Sequence, residues 1–249
     1  MIPRYEVIGV VGLPEIRRGD DLGRLIVEAA AHATPLGEGD LLIVTQKVIS
    51  KAEGRVVRLA DVIPSPAALA MAQTLRRDPR LVELILRESR RVVRMDKGLL
   101  IVETHHGWVC ANGGVDQSNV DLDCVALLPE DPDRSAQGLR ERVRQLTGTD
   151  VPVIVSDTFG RPWREGLTNV AIGIAGLQPM QSYLGARDPA GRTLQATFLA
   201  VADELAGAAE PVMGKLNRVP AVIIRGLDVD RGEGTSKALL RDPSRDLFR

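Results

Sequence analysis

Three short runs of almost unbroken apolar residues, Leu41–Val44, Val151–Val155 and Pro220–Ile224, constrain the fold more than any other feature of this chain. Runs without polar alternation read as strands buried inside a core. None approaches the roughly 20 apolar residues that a bilayer span needs, so no membrane segment is expected. Tyr5 to Val11 alternates enough to form a further strand, broken by Gly12-Leu13-Pro14-Glu15, and Asp20-Asp21 offers an N-cap for an apolar-periodic helix through about Ala33. Gln46 to Arg55 reads as a short polar segment that lines something. Ser65 to Arg90 carries helical periodicity broken at Asp78-Pro79, which predicts two helices. Leu99–Glu103 and Gly107–Cys110 read as a strand pair about Thr104–Gly107; Asp133–Leu146 reads as a helix, and a long helix is expected over Leu194–Ala208. Strands and helices mix without a steady βαβ beat, and several strand pairs look locally antiparallel. The class is therefore α+β, or mixed α/β, in one domain over residues 1–249 that could comprise two intertwined subdomains.

Several function classes fall away. A formal net charge of -1 supplies no field for a polyanion, so nucleic acid is not an expected partner. Met1 to Glu6 lacks a basic segment followed by an apolar one, which leaves a cytoplasmic location as the expectation. Cys110 and Cys124 fit neither a zinc knuckle nor a CxxC and are read as buried free thiols. Neighbouring His105 and His106 point apart in a strand or turn, which favours a hairpin-turn role over metal ligation. No G-x-x-x-x-G-K-[ST] occurs and Gly9-Val10-Val11-Gly12 is not G-x-G-x-x-G, so neither a P-loop nor a Rossmann site is supported.

Two acidic segments carry the candidate chemistry. Ser156-Asp157-Thr158-Phe159-Gly160-Arg161 closes an apolar strand with a carboxylate and a hydroxyl, hard oxygen ligands suited to Mg²⁺ or Mn²⁺, and Arg161 and Arg164 stand near to offset phosphate charge. The plainer alternative is an Asp157 that caps a turn. Asp116 lies in a glycine-preceded loop with Gln117, Ser118 and Asn119, which fits a second metal ligand or an ordinary Asx-turn. Only five of the 32 basic residues are lysines, and three of them, Lys47, Lys51 and Lys215, sit beside candidate site segments. Phosphate contact and simple surface solvation both remain open for these lysines. By local chemistry each acidic segment fits an ordinary turn as well as a metal site, and a site that neutralises phosphate charge is one reading of the pair.

An ordered set of motifs resembles the coenzyme F420-0:L-glutamate ligases, or F420 γ-glutamyl ligases, along nearly the whole chain. The set comprises Gly12-Leu13-Pro14, Val48 to Arg55, Gly114 to Val120, Ser156 to Arg161, Val201-Ala202-Asp203-Glu204 and Pro220 to Gly226. The resemblance implies an unusual mixed α/β fold in an intertwined homodimer. It also implies a GTP-dependent, GDP-forming ligase that adds L-glutamate to the deazaflavin precursor F420-0 through an acyl phosphate. Leu13, Pro14, Glu15, Ile16, Lys51 and Asn119 would contact GTP, with Gln46 and Lys47 matching nucleotide positions by location and Met213, Gly214 and Lys215 lying against the nucleotide. Asp116, Asp157 and Thr158 would hold the divalent metal, Mg²⁺ or Mn²⁺, with K⁺ as a further candidate ion. Asp157, Lys51 and Arg161 would be the catalytic group. Some relatives have an acidic metal ligand where this chain has Lys215, so the second metal's coordination departs here and Lys215 is expected to meet phosphate directly. Some relatives continue into a flavin-binding domain; a chain ending at Arg249 is expected to bind no flavin. The competing readings are a GTP-binding regulatory protein on the same fold and an amide ligase for another small carboxylate acceptor.

Overall fold

A computed structural model describes residues 3–32 and 34–246 of the chain. Ala33, the expected end of the first helix, lies outside the described residues, as do Met1, Ile2 and Arg249. The first elements are β1 (Glu6–Val10), α1 (Leu22–Ala31), β2 (Leu41–Thr45), α2 (Gln46–Ala52), β3 (Val56–Arg58), α3 (Pro66–Leu75) and α4 (Pro79–Arg87). Then follow β4 (Ser89–Asp96), β5 (Leu99–Thr104), β6 (Val109–Ala111), β7 (Cys124–Ala126), α5 (Pro132–Thr147) and β8 (Val153–Arg161). The last are β9 (Arg164–Ala175), β10 (Gln181–Ser182), β11 (Phe198–Leu199), α6 (Val201–Met213) and β12 (Ala221–Arg225). The fold is mixed α/β.

The main sheet has the order β1-β12-β2-β8-β9. Within it β2 and β8 run parallel, Leu42 facing Val153 and Thr45 facing Ser156, and the other neighbours are antiparallel. The apolar runs occupy its centre because both faces are covered. Leu42, Val44, Val153 and Val155 join the core under α1 and α5, whereas Leu41, Ile43 and Ile154 join the core under α6. A separate core forms between α3, α4, β5 and β7 from residues such as Ala72, Val82, Ile85, Leu100, Val102 and Val125. Its chain leaves the main sheet after α2 and returns at α5. Side chains of Asp21, Ser65, Asp78 and Asp131 accept backbone N–H bonds in the first turns of α1, α3, α4 and α5, satisfying donors that a helix start leaves unpaired. Among the described residues no helix is long and apolar enough to cross a membrane.

Three expectations need correction, and one segment left without an element gains one. The long helix is Val201–Met213, not Leu194–Ala208, because the preceding residues are committed to a β-ribbon: Gly185 N–H donates to Leu194 C=O and Tyr183 N–H to Thr197 C=O, both at 2.9 Å. Pro211 is tolerated in the last turn of α6, where its missing N–H removes one helical bond. The polar segment at Gln46 is a helix, α2. The helical stretch ends at Arg87, and Ser89–Asp96 is instead an edge strand paired with β5. Of the two free cysteines only Cys110 is buried; Cys124 is half-buried at the start of β7. His105 and His106 do lie in the turn between β5 and β6, and the His106 ring stacks on Trp108 at 4.7 Å between centroids.

Gly173 marks the tightest contact between α5 and the sheet. A Cβ there would lie 2.2 Å from the Pro132 carbonyl oxygen, and the adjacent Ile174 N–H donates to Asp133 Oδ1 at 2.8 Å. Gly173→Ala must therefore push α5 off β9, and a loss of about 3 kcal/mol is expected from such overpacking. The midpoint of urea unfolding checks it; an unchanged midpoint would mean that α5 shifts without cost.

Candidate functional site

The candidate site lies where the parallel pairing of β2 with β8 ends, at Thr45 and Ser156, and β8 runs on to Arg161 paired with β9. The chain passes from β2 directly into α2, and on a helix residues four apart share one face. Lys47 and Lys51 thus stand together above the strand ends.

Lys47 reaches across to a loop 69 residues further along the chain. Its Nζ forms an ion pair with Asp116 Oδ2 and donates to Ser118 C=O at 2.6 Å and Ser118 Oγ at 2.7 Å. The Asp116 backbone is fixed against β7, its N–H donating to Ala126 C=O at 3.0 Å and its C=O accepting from Ala126 N–H at 2.8 Å. Ser118 N–H and Ser118 Oγ both donate to the Asp116 carboxylate at 2.8 Å. This is the Asx-type turn that the sequence left open, combined with a lysine partner from another element. The loop's entry needs glycine: a Cβ on Gly114, at φ +72°, would come within 2.6 Å of Leu128 Cγ. The Cys110 thiol is buried beside this turn, where the Gly114 and Gly113 amides favour its thiolate. Burial and then the nearby Asp157 charge push the Cys110 thiol up to about 12, so it stays a neutral packing group.

Alternation along β8 separates Asp157 from Thr158. Asp157 follows Val155 onto the α1, α2 and α5 side of the sheet, towards Asp116, while Thr158 follows Ile154 onto the α6 side. Asp157 is pushed up to about 7, first by burial and then by the like charge of Asp116, against the pull of Thr158 N–H at 2.8 Å and of Lys47 and Lys215. Asp116 goes the other way. Burial opposes its ionisation, but the Lys47 bond and the Ser118 donors outweigh burial and hold it below the usual carboxylate range. Two nearby carboxylates thus have different protonation near neutrality, the environment-driven division expected at a functional site.

On the α6 side, Thr158 Oγ1 accepts from Lys215 Nζ at 2.6 Å and donates to Asn169 Oδ1 at 2.8 Å. Asn169 Nδ2 donates to Glu210 Oε2 at 2.9 Å, and Glu210 Oε1 lies 3.9 Å from Lys215 Nζ. Asn169 and Glu210 were not singled out in the sequence. An asparagine in a strand interior, 3% exposed here, was the available signal.

The remaining expected contacts divide by exposure. Pro14, Glu15 and Asn119 are exposed, Leu13 is half-buried, and Glu15 forms an ion pair with Lys51. Ile16, Gln46 and Met213 are buried, with Gln46 Oε1 accepting from Ser50 Oγ at 2.8 Å, so Ile16 and Met213 serve the core with their side chains. Gly214, at φ +55°, ends α6 and leads to the exposed Lys215. The structure does not bring Arg161 to the carboxylates: it lies four residues beyond Asp157, about 13 Å along a strand. Its Nη2 donates to Glu165 C=O at 2.6 Å across the β8–β9 hairpin.

Asp116 and Asp157 offer oxygen donors of the kind that a divalent cation would need. Two carboxylates close enough for one charge to disfavour the other are matched hard oxygen donors, and Lys47 already supplies positive charge to one. Among the described residues no three His, Cys, Asp or Glu side chains converge as a metal-holding group. Two carboxylates plus phosphate oxygens would be a sufficient set for a nucleotide-bound Mg²⁺.

Comparison with known proteins gives one consistent result. Residues 10–226 match the F420-0:gamma-glutamyl ligase family. The coenzyme F420:L-glutamate ligase of Methanopyrus kandleri is 49% identical over 94% of each chain. The enzymes of the same name from Methanothermobacter thermautotrophicus and Methanocaldococcus jannaschii are 46% and 40% identical, over 98% or 99% of this chain and 98% or 97% of theirs.

Proposed function

The chain belongs to the F420-0:γ-glutamyl ligase family, and on that premise we propose that it is a GTP-dependent enzyme adding L-glutamate to F420-0. The observation that carries this reading is the meeting of Lys47, Asp116 and Asp157 at the β2–β8 mouth. A carboxylate of the acceptor attacks the γ-phosphorus of GTP, the bond to the β-phosphate oxygen breaks, and GDP leaves. The acyl phosphate is then attacked by the glutamate amine, which forms the amide, loses a proton and expels inorganic phosphate. Lys47, Lys51 and Lys215 meet the phosphate oxygens as compact positive charges. Asp116 and Asp157 would hold Mg²⁺ or Mn²⁺, which would supply charge neutralisation on the transferred phosphoryl group. Pro14, Glu15 and Asn119 border the nucleotide through an exposed surface. Arg161 acts at a distance from the carboxylates, ordering the hairpin. We also read the protein as a homodimer, supported by Val92, Val93, Met95, Leu99 and Val109, apolar residues each more than a third exposed on the sheet β4–β5–β6.

The test is mass spectrometry of the deazaflavin after incubation with F420-0, GTP, L-glutamate and Mn²⁺. The expected product carries added glutamate, with GDP released only when both acceptors are present. Nucleotide binding without turnover, or turnover with a different carboxylate acceptor, would overturn it.

The protonation of Asp157 makes a further expectation. Below about 7 a cation must displace the Asp157 proton, so Mn²⁺ affinity should fall about tenfold per pH unit below that value and level off above it. Calorimetric titrations at pH 6 and pH 8 in buffers of different ionisation enthalpy would read the proton released. Equal affinities at the two pH values would sink the assignment.

A further inference from the structure

The two faces of β8 differ in what they can offer a cation. On one, Asp116 and Asp157 are anionic oxygen donors. On the other, the Thr158 hydroxyl is already engaged from both sides, giving its proton to Asn169 Oδ1 and taking Lys215 Nζ at 2.6 Å. Asn169 closes the arrangement onto Glu210, whose other oxygen faces Lys215 at 3.9 Å. The carboxylate of Glu210 is therefore matched to an amide donor and an ammonium, and the four side chains form a ring with balanced charge. A dication on Thr158 Oγ1 would share one small oxygen with an ammonium and be repelled by it. Lys215 also acts on Asp157 electrostatically, so its charge is felt on both faces of the strand.

We propose that Lys215 is a built-in cation that takes the place of a second metal ion at Thr158, so that this chain operates with one divalent cation, held by Asp116 and Asp157. The inference rests on the reading of the site as one for GTP and a divalent metal. The Lys215 side chain is 61% exposed at the start of the segment that follows α6, which leaves its Nζ free to swing from Thr158 to a phosphate oxygen without leaving the mouth. A tethered ammonium is present at every turnover and needs no second ion from solution. A dicationic ligand would be replaced here by a single charge with three donors, able to bind Thr158 and phosphate together.

The experiment counts Mn²⁺ by electron paramagnetic resonance during titration of the full-length protein with a non-hydrolysable GTP analogue bound. Wild type is expected to take one tightly held Mn²⁺ per chain. Lys215→Glu removes the ammonium and adds an oxygen donor beside Thr158 and Glu210, and is expected to take two. Lys215→Gln keeps a donor for Thr158 but not the charge; it is expected to hold one Mn²⁺ and to bind the analogue about tenfold more weakly, the loss of one charge-assisted phosphate contact. Two Mn²⁺ per chain in wild type, or one in Lys215→Glu with the nucleotide still bound, overturns the inference and leaves the GTP reading intact. No Mn²⁺ and no analogue bound to wild type overturns both.

Discussion

Asp157→Asn is expected to lower GTP-dependent glutamylation by about 10³-fold while the protein stays folded, the scale seen when one preorganised electrostatic group is removed from a transition state. Asparagine keeps a carbonyl oxygen to accept the Thr158 N–H bond that Asp157 Oδ1 now accepts at 2.8 Å. It cannot become an anion. The half-buried carboxylate is pushed up to about 7 by burial and by Asp116, so the metal-free fold is strained by its charge, and a neutral isostere relieves that strain. The variant should therefore melt no lower than wild type. Its deficit should also persist from pH 6 to pH 8, since the group whose proton governs cation entry is gone. Initial rates of GDP release, measured beside a thermal melt, make the comparison. Wild-type turnover in a well-folded variant would remove Asp157 from the metal site.

The second large effect concerns stability. Asp40 is 1% exposed in the turn before β2 and receives Arg225 through two bonds of 2.7 Å, Nε to Oδ1 and Nη2 to Oδ2. Gly37 N–H donates to the same carboxylate at 2.8 Å, and Arg225 Nη2 also reaches Pro35 C=O at 2.8 Å. A single carboxylate thus joins the end of β12 to the start of β2. Asp40→Ala leaves the guanidinium and the Gly37 amide without that partner. Breaking a buried pair from one side costs about 3–5 kcal/mol; because Arg225 is 39% exposed and can turn towards water, the lower end, about 3 kcal/mol, is expected. Urea unfolding measures it. Activity per folded molecule should not change, because Asp40 belongs to no part of the site; loss of turnover at full stability would contradict this account.

What could be read in the sequence follows from how local each signal is. Strands buried on both faces announce themselves as apolar runs, so β2, the start of β8 and β12 were legible, and so were the paired helices flanked by Ser65 and Asp78. β4 was not, because Arg90, Arg91 and Arg94 turn an exposed edge strand into something that resembles the polar face of a helix. β9 also escaped: its first four residues, Arg164-Glu165-Gly166-Leu167, are exposed and show no strand-like alternation, and only its pairing with β8 makes it a strand. The site behaved similarly. Asp116 is an ordinary turn residue and Asp157 an ordinary strand residue by local chemistry, and it was the ordered resemblance that joined them. The Lys47 contact to Asp116 and the Thr158–Asn169–Glu210 chain depend on distant packing, which no window of sequence contains.

The parallel pairing of β2 with β8 has a consequence in time. Between them the chain makes the whole separate core of α3, α4, β5 and β7, so the strands that frame the site meet only across a very long loop. Closure of such a loop is entropically costly and slows contacts that depend on it, whereas the intervening core is built from near neighbours such as α3 with α4 and β4 with β5. The insert should therefore gain structure before the catalytic mouth exists. Pulsed hydrogen exchange during refolding would show β5 amides protected ahead of those in β2, and simultaneous protection would refute that order. If the proposed function holds, a newly made chain would then be unable to bind nucleotide until this long-range pairing is in place.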